Sequence, residues 1–308
     1  MRRETRYRLE AIAATVVSAL VRRLPRGVVL RLGRALGRLW AALDARHVAI
    51  AADNLRRAFP DWDAARIDRT ARAVYVHFSQ VALDLLWLER RTKDELLRIV
   101  DFDGLEPLQR EHAAGRGTVY VSAHFGNWEM QAIVYPWLSG RTIGMIARAL
   151  DNPALDARLC ALRGKSGSAV YYKKRALQQV LRRLRDGGDV AILVDQNVQE
   201  DDGIFVDFFG RKAATTTVAA ALAVKTGCMV VPCYAELGAD GRYHAVCEPP
   251  IEWTPTGDRD ADIAHLTQRM TTIIEGWIRR RPEQWLWMHR RWKTQPKPES
   301  SPAVPVAS

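Results

Sequence analysis

The chain has 308 residues, of which 48% are hydrophobic and 26% are charged. This length allows one large domain with a sizeable core, and the composition argues against a disordered, collagen-like or repeat protein. Lysine and arginine number 46 against 35 aspartates and glutamates, a formal net charge of +11, which favours phosphates, anionic lipid headgroups or nucleic acid as partners without choosing among them.

The N-terminal region predicts helices that lie on a membrane. Ala11 to Val21 is apolar, but Glu10 precedes it and Arg22 follows it, and a spanning helix needs about 20 apolar residues. Residues 22–43 alternate arginines with apolar residues at helical spacing, the pattern of a basic amphipathic helix in a lipid interface. A core helix with a solvated outer face is the alternative, and the neighbouring apolar segment favours the membrane.

Residues 44–100 keep a helical pattern, with apolar residues three and four apart and a turn at residues 59–63. Either Asp61 or Asp63 is placed to cap the helix that follows the turn. His77 stands among aromatic and aliphatic residues, where a histidine is more often packed than a ligand. We therefore assign it no catalytic role.

The stretch SAHFGNWEM, residues 122–130, sets a histidine and a glutamate in the connection between two elements. Thr118 to Val121 predicts a short buried strand, and residues 128–138 predict a helix. On one helix, side chains five residues apart point about 140° away from each other. Across a strand, a glycine turn and the first turn of a helix, the side chains of His124 and Glu129 can meet.

This pair predicts a general base, because a histidine held by a carboxylate has a fixed tautomer and a stabilised protonated form. We predict that His124 is the base, that Glu129 orients it, and that its substrate is a hydroxyl or a water. Gly126 permits the bend, and Asn127 is placed to cap the helix carrying Glu129. Because no nucleophile motif accompanies the histidine, direct attack by a substrate hydroxyl is more economical than a covalent enzyme intermediate.

The sequence gives no sign of a metal site or a cofactor. HExxH is absent, and no second histidine stands near His124 in the sequence. The cysteines form no CxxC pair, which argues against zinc and a disulfide framework and favours a reducing compartment. They are Cys160, Cys228, Cys233 and Cys247.

The second half of the chain alternates strand and helix patterns, which predicts an α/β fold. Asp195 follows the apolar stretch VAILV and so stands at the carboxyl end of a predicted strand, where open α/β folds place ligands. Substrate binding and a structural role in a turn with Asn197 are both open for it. Residues 216–227 predict a helix, residues 229–237 a strand, and residues 243–253 a further strand pair.

Residues 279–293, RRRPEQWLWMHRRWK, interleave tryptophan with cations. This suits a lipid headgroup interface, and the same pattern also suits nucleobase stacking. The Pro- and Ser-rich tail, residues 296–308, predicts disorder. We therefore divide the chain into a helical N-terminal region, residues 1–100, an α/β core, residues 101–295, and this tail.

Five blocks of this sequence resemble the lipid A late acyltransferases, the lauroyl and myristoyl transferase family of bacterial outer-membrane synthesis, within the lysophospholipid and glycerophosphate acyltransferase superfamily. The resemblance runs from the basic N-terminal helix to Lys293. The blocks stand in the family's order: HFGNWE (124–129), RALDNP (148–153), LVDQN (193–197), IFVDFFGRKAATTT (204–217) and EQWLWMHRRWK (283–293).

The resemblance implies a glycerophosphate-acyltransferase-like fold, a mixed sheet flanked by helices. It also implies transfer of an acyl chain from an acyl carrier protein or coenzyme A thioester to a hydroxyl of a lipid A precursor or related glycolipid, without a cofactor. His124 would take the proton of the attacking hydroxyl, and backbone N–H groups or a cation would meet the oxyanion. A phosphatidylinositol mannoside or an ornithine-type lipid is an alternative acceptor.

Further site residues follow from the resemblance. Arg148 matches the family's arginine ahead of an Asn-Pro and is expected to contact a substrate phosphate or the oxyanion, with a surface pair to Asp151 as the alternative. Phe208 and Phe209 are expected to form a hydrophobic wall beside the cation Arg211, which suits an acyl chain on an anionic headgroup or carrier.

The expected location is the cytoplasmic face of the bacterial inner membrane, peripheral or N-terminally anchored, with an anionic membrane surface as partner. Nucleic acid is not expected as a partner. Two other classes stay open: a membrane-bound esterase or lysophospholipase that activates water, and a non-catalytic basic protein that binds membrane or nucleic acid. Detecting whether the acyl chain is transferred to an acceptor or released as free fatty acid distinguishes a transferase from the esterase.

Overall fold

A computed structural model describes residues 3–113 and 115–296 of the chain. The helices are α1 (Arg3–Val21), α2 (Arg26–Leu43), α3 (Ala45–Ala58), α4 (Ala64–Leu88), α5 (Lys93–Leu97), α6 (Leu105–Ala113), α7 (Trp128–Ser139), α8 (Pro153–Arg163), α9 (Lys173–Arg185), α10 (Val218–Thr226) and α11 (Arg259–Arg280). The strands are β1 (Val100–Asp103), β2 (Thr118–Ser122), β3 (Ile143–Ala147), β4 (Ala169–Tyr172), β5 (Asp189–Leu193), β6 (Gly203–Phe208), β7 (Arg211–Thr216), β8 (Met229–Leu237) and β9 (Tyr243–Cys247).

The central sheet has, in the described residues, seven strands in the order β1-β9-β8-β2-β5-β3-β4. β2 lies between β8 and β5 and runs parallel to both, while β8 and β9 are antiparallel. β6 and β7 form a separate antiparallel hairpin. Helices link most of the parallel strands, as parallel pairing requires, so the carboxyl ends of β2, β5 and β3 lie at one edge of the sheet.

Both faces of the sheet are covered, which explains why β2 is apolar throughout. Val119 and Val121 point into a cluster with residues of α9, α10 and α11. Tyr120 points to the other face, where it packs against Tyr135 of α7 and Met145 of β3. The structure confirms the prediction of an α/β fold with a mixed sheet flanked by helices, and it shows that most of the strand pairs are parallel.

The N-terminal helices pack against this core through α4. α2 crosses α4 closely because Gly33 and Gly37 lack side chains, and a Cβ on Gly37 would lie 2.4 Å from the Cα of Val76. Deeper in the contact, Arg26 of α2 binds the buried Asp84 of α4, with Nη2 2.7 Å from the carboxylate. The Tyr243 hydroxyl donates to the same carboxylate at 2.7 Å, which ties β9 to both helices.

The outer faces of α1 and α2 expose large apolar side chains. No helix of the described chain is both long enough and apolar enough to cross a bilayer. The exposed residues are Leu9, Ile12, Val16 and Leu20 on α1 and Leu32, Leu36, Leu39, Trp40 and Leu43 on α2.

The structure tests several local predictions. Asp63 caps α4 by accepting the Arg66 N–H at 2.6 Å, as one of the two proposed caps. The predicted strand pair at residues 243–253 is wrong in its second half, because only β9 forms there and Pro249 and Pro250, which lack N–H donors, follow it. Residues 297–308 of the predicted tail lie outside the described residues, and the proposed domain division stays a prediction.

Replacing Asp84 should destabilise the whole fold. Asp84→Asn leaves Arg26 partly buried beside a neutral amide, and breaking such a pair costs about 3 kcal/mol or more. Urea unfolding measures this loss. The matched control is Asp68→Asn on α4, whose pair with Arg72 is half exposed and should change the free energy of unfolding by less than about 1 kcal/mol. Equal stability of the two variants would contradict the proposed importance of the buried pair.

Candidate active site

The histidine stands in a tight connection between β2 and α7, as predicted. Gly126 has a φ of +59°, and a Cβ there would lie 1.9 Å from the Ala235 carbonyl oxygen, so only glycine fits. Asn127 caps α7 by accepting the Met130 N–H at 3.0 Å. His77 Nε2 of α4 lies 3.1 Å from the Gly126 carbonyl oxygen. The turn is therefore held by contacts with α4 as well as with β8.

The carboxylate that holds the imidazole belongs to Asp195. The Nδ1–H of His124 donates to Asp195 Oδ1 at 2.8 Å, and the His124 backbone N–H donates to Oδ2 at 2.9 Å. Trp285 Nε1–H also donates to Oδ2, at 2.8 Å. The strand register explains the pairing: Ser122 lies opposite Leu193, so two residues further on His124 meets Asp195. Nε2 is left facing the exposed amide of Gln196, 3.4 Å away.

The contacts of two carboxylates differ from those expected. Asp195 was predicted to bind substrate or cap a turn, and instead its carboxylate is buried against the imidazole. Glu129 was predicted to orient His124, but both its oxygens are held by Arg163 of α8, at 2.5 and 2.8 Å. The reason is the helix geometry, since the first turn of α7 directs Glu129 toward α8 rather than across the sheet edge.

The charges around the imidazole set its protonation. Burial disfavours the charged ring, but the Asp195 carboxylate outweighs burial, so the pKa of His124 is raised above 6.5. The negative charge of Glu129 adds to the same effect from a distance. Burial alone would raise the pKa of Asp195, yet the His124 charge and the N–H donors of His124 and Trp285 lower it, so the carboxylate stays ionised.

An apolar cavity opens beside this pair, between the sheet and α7. It contains about 610 Å³ of empty space, part of it open to solvent. Its mouth is formed by Trp128, whose ring centroid lies 5.0 Å from that of His124, together with the ion pair of Glu129 and Arg163. The interior is lined mainly by apolar side chains of β2, β3, β5 and α7, including Met145, Ile146 and Leu193.

The other predicted residues lie elsewhere. Arg148 follows β3 at the same sheet edge, with its side chain 82% exposed and 3.7 Å from Asp151, which matches the alternative of a surface pair. Phe208 and Phe209 do not form a wall beside His124. Both are buried in a cluster with Trp285, Trp287 and Trp292, because the β6–β7 hairpin packs on the C-terminal tryptophans. Arg211 is exposed at the tip of that hairpin.

The sequence reasoning missed three contributors to this site. Gln196 stands inside the block LVDQN, which carried the resemblance, and had no assignment. Trp285 was expected at a lipid headgroup interface with its neighbouring tryptophans, but Trp285, Trp287 and Trp292 are buried, because the β6–β7 hairpin packs on them. Arg163 stands in no block, and only the packing of α7 against α8 brings it to Glu129.

Comparison with known proteins agrees with the family resemblance. Among curated proteins, the lipid A biosynthesis lauroyltransferase of Escherichia coli K12 is 29% identical over 90% of this chain and 89% of its own. The lipid A biosynthesis myristoyltransferase of the same strain is 24% identical over 89% and 83%. The phosphatidylinositol mannoside acyltransferase of Mycobacterium tuberculosis is 27% identical over 66% and 62%.

The sequence profile described as "Bacterial lipid A biosynthesis acyltransferase" matches residues 2–294. The matched residues include both segments that meet at the pair of His124 and Asp195, namely the HFGNWE turn and the end of β5. The chain therefore belongs to the bacterial lipid A biosynthesis acyltransferase family.

Proposed function

We propose that this protein moves a fatty acyl chain from an acyl carrier protein or coenzyme A thioester to a hydroxyl of a lipid A precursor, with His124 as general base. The observation that carries the proposal is an oriented imidazole at the mouth of an apolar cavity. Asp195 fixes the proton on Nδ1, so Nε2 is free to accept the proton of an acceptor hydroxyl. The hydroxyl oxygen then attacks the thioester carbonyl, the carbon–sulfur bond breaks, and the donor leaves as a thiol with the proton returned from His124 Nε2.

The cavity supports a lipid donor. An acyl chain bound inside it would place its thioester carbonyl at the mouth, beside Trp128 and within reach of His124. Apolar lining shields the chain from water, which is the main source of affinity for a hydrocarbon. The exposed amide of Gln196, next to Nε2, is in place to donate a hydrogen bond to the attacking oxygen or to the oxyanion.

Glu129 contributes to this site in a different way from the orienting role first predicted. Its carboxylate accepts from Arg163 and from Trp128 Nε1–H, the latter at 3.0 Å. The pair thus fixes the Trp128 indole, which lines the cavity mouth beside His124. The negative charge of Glu129 also raises the pKa of His124, which strengthens the base. Glu129 and Arg163 are therefore positioning residues at the cavity mouth.

Arg148 is proposed to contact an anionic group of the acceptor or the donor. It extends from the carboxyl end of β3, two strands from β2 at the sheet edge that carries His124. Its contact with Asp151 joins two exposed side chains at 3.7 Å, and such a pair contributes little. The guanidinium is therefore accessible to a phosphate, which it binds in a bidentate manner.

The protein is proposed to act on the cytoplasmic face of the inner membrane, lying on the lipid through α1 and α2. Their exposed apolar side chains alternate with arginines, the arrangement of an interfacial helix on an anionic surface. α1 also contacts α8, where Asn152 donates to the Tyr7 carbonyl and to Glu10. α8 ends at Arg163, so α1 packs against the helix that carries one residue of the cavity mouth.

Mass spectrometry of lipids tests the reaction. Purified protein is incubated with acyl carrier protein thioesters, acyl-coenzyme A and a lipid A precursor. His124→Ala should lower acylated product by about a thousandfold, within the range contributed by a general base. Free fatty acid in place of acylated lipid would indicate a hydrolase, and a His124→Ala variant with full activity would contradict the proposed base.

Asp195→Asn should be nearly as damaging, for a reason that the contacts give. Oδ2 receives two N–H donors, so the amide oxygen takes that place and its NH₂ faces Nδ1. The proton then resides on Nε2, the wrong tautomer for a base, and the loss should be about a thousandfold or more. The matched control is Asp53→Asn, an exposed aspartate paired with Arg57, which should keep wild-type activity and thermal stability.

The pH dependence follows from the raised pKa of His124. The base works only when neutral, so kcat/KM should rise with pH through a midpoint above the ordinary histidine value of 6.5. Asp195→Asn removes the charge that stabilises the imidazolium, and its midpoint should move to lower pH. NMR titration of His124 gives the same pKa without turnover. A wild-type midpoint below 6.5, or no shift in the variant, would be incompatible with this electrostatic coupling.

Vesicle sedimentation tests the membrane surface. The triple variant Ile12→Ser, Val16→Ser, Leu20→Ser should bind phosphatidylglycerol vesicles at least about tenfold more weakly, because each aliphatic side chain contributes about 1.5 kcal/mol or more when buried. Ionic strength of about 1 M should weaken wild-type binding, since the Debye length falls to about 3 Å. The control is Leu177→Ser, an exposed leucine of α9, and equal binding by both variants would count against the α1 surface.

A further inference from the structure

The cavity beside His124 ends in a buried polar network. Side chains of β2 alternate between the two faces of the sheet, so His124, Ser122 and Tyr120 follow one another on the face that α7 covers. Tyr120 lies in register with Ala191 of β5, which lies in register with Met145 of β3. These three side chains form one row across the cavity.

The depth of the cavity follows from the strand geometry. Tyr120 precedes His124 by four residues, a distance of about 13 Å along a strand at about 3.3 Å per residue. An extended hydrocarbon with bonds of about 1.5 Å advances about 1.3 Å per carbon. A chain whose carbonyl carbon lies beside His124 therefore reaches the Tyr120 row after about ten carbons.

Below this row the space is closed by hydrogen-bonded polar groups. The hydroxyls of Tyr120 and Tyr135 are 2.5 Å apart, and Tyr135 donates to Asp189 at 3.1 Å. Asp189 is fully buried and accepts from Arg141 through both oxygens, at 2.8 and 2.9 Å. The Arg141 side chain is partly exposed, so this ion pair separates the cavity from the solvent on the far side.

We propose that Tyr120 and Tyr135, held by Asp189 and Arg141, are the floor of the acyl-chain cavity and limit the transferred chain to about ten to twelve carbons. This inference rests on the proposed function and specifies the acyl donor. A longer chain would have to displace a tyrosine ring and leave a buried hydroxyl or carboxylate without its partner, which is strongly unfavourable. A shorter chain would leave apolar cavity surface without contacts.

Small side chains determine how much room lies above the floor. Ala132 of α7 and Ala147 and Ala191 of the sheet line the cavity, and larger residues at these positions would fill it. Ala191 stands in the same row as Tyr120. A smaller residue at position 120 should therefore lengthen the cavity, and a larger residue at position 191 should shorten it.

The experiment is a competition among saturated acyl carrier protein thioesters from octanoyl to stearoyl, with product chain lengths read by mass spectrometry. Wild type should yield mainly decanoyl and dodecanoyl products. Tyr120→Ala should raise the ratio of hexadecanoyl to dodecanoyl product at least about tenfold, a factor within reach of a single pocket change. Ala191→Leu should shift products toward octanoyl. Tyr120→Phe keeps the ring and should keep the wild-type distribution.

Total product and chain-length distribution separate the two proposals. Acylated product from wild type with an unchanged distribution in both Tyr120→Ala and Ala191→Leu would overturn the floor, while the proposed function would stand. Mainly hexadecanoyl product from wild type would also overturn it. Acylated lipid from no thioester would refute the proposed function and the floor together. If Tyr120→Ala fails to fold, the product distribution of Ala191→Leu decides. The rise in melting temperature that dodecanoic and hexadecanoic acids give to wild type and to Ala191→Leu supports that measurement.

Discussion

The arrangement of the site depends on one buried carboxylate. Asp195 accepts three N–H donors, from the ring and backbone of His124 and from the indole of Trp285. These donors come from the end of β2 and from the segment after α11, so a single charge joins three distant parts of the chain. A buried carboxylate is tolerated only with such partners. The orientation of the imidazole and the packing of the C-terminal tryptophans therefore depend on the same carboxylate.

Two further ion pairs lie at the ends of the cavity beside His124. Arg163 holds Glu129 and, through it, Trp128 at the mouth, while Arg141 holds Asp189 and Tyr135 at the far end. Between these two ion pairs the lining is mainly apolar. The cavity is thus bounded at both ends by ion pairs, and the proposed acyl chain would lie between them.

The N-terminal helices connect this interior to the proposed membrane surface. α2 is fixed to α4 by Arg26 and Asp84, and Tyr243 links Asp84 to Asn127, the cap of α7. One continuous set of hydrogen bonds therefore runs from a helix with an exposed apolar face to the turn that carries His124. A lipid acceptor that partitions into the interface would meet the base at the edge of the same helical layer.

The sequence by itself determined the α/β class, the strand, turn and helix around HFGN, and the position of His124 between them, because periodicity, Gly126 and Asn127 are local signals. It also placed Asp195 at a strand end. Only the tertiary structure decided which carboxylate meets the imidazole, since that depends on β5 pairing beside β2 and on α8 packing against α7. The burial of Phe208 and Phe209 and the contact between Tyr120 and Tyr135 could not be predicted either, because contacts between residues far apart in the chain are set by sheet order and helix packing.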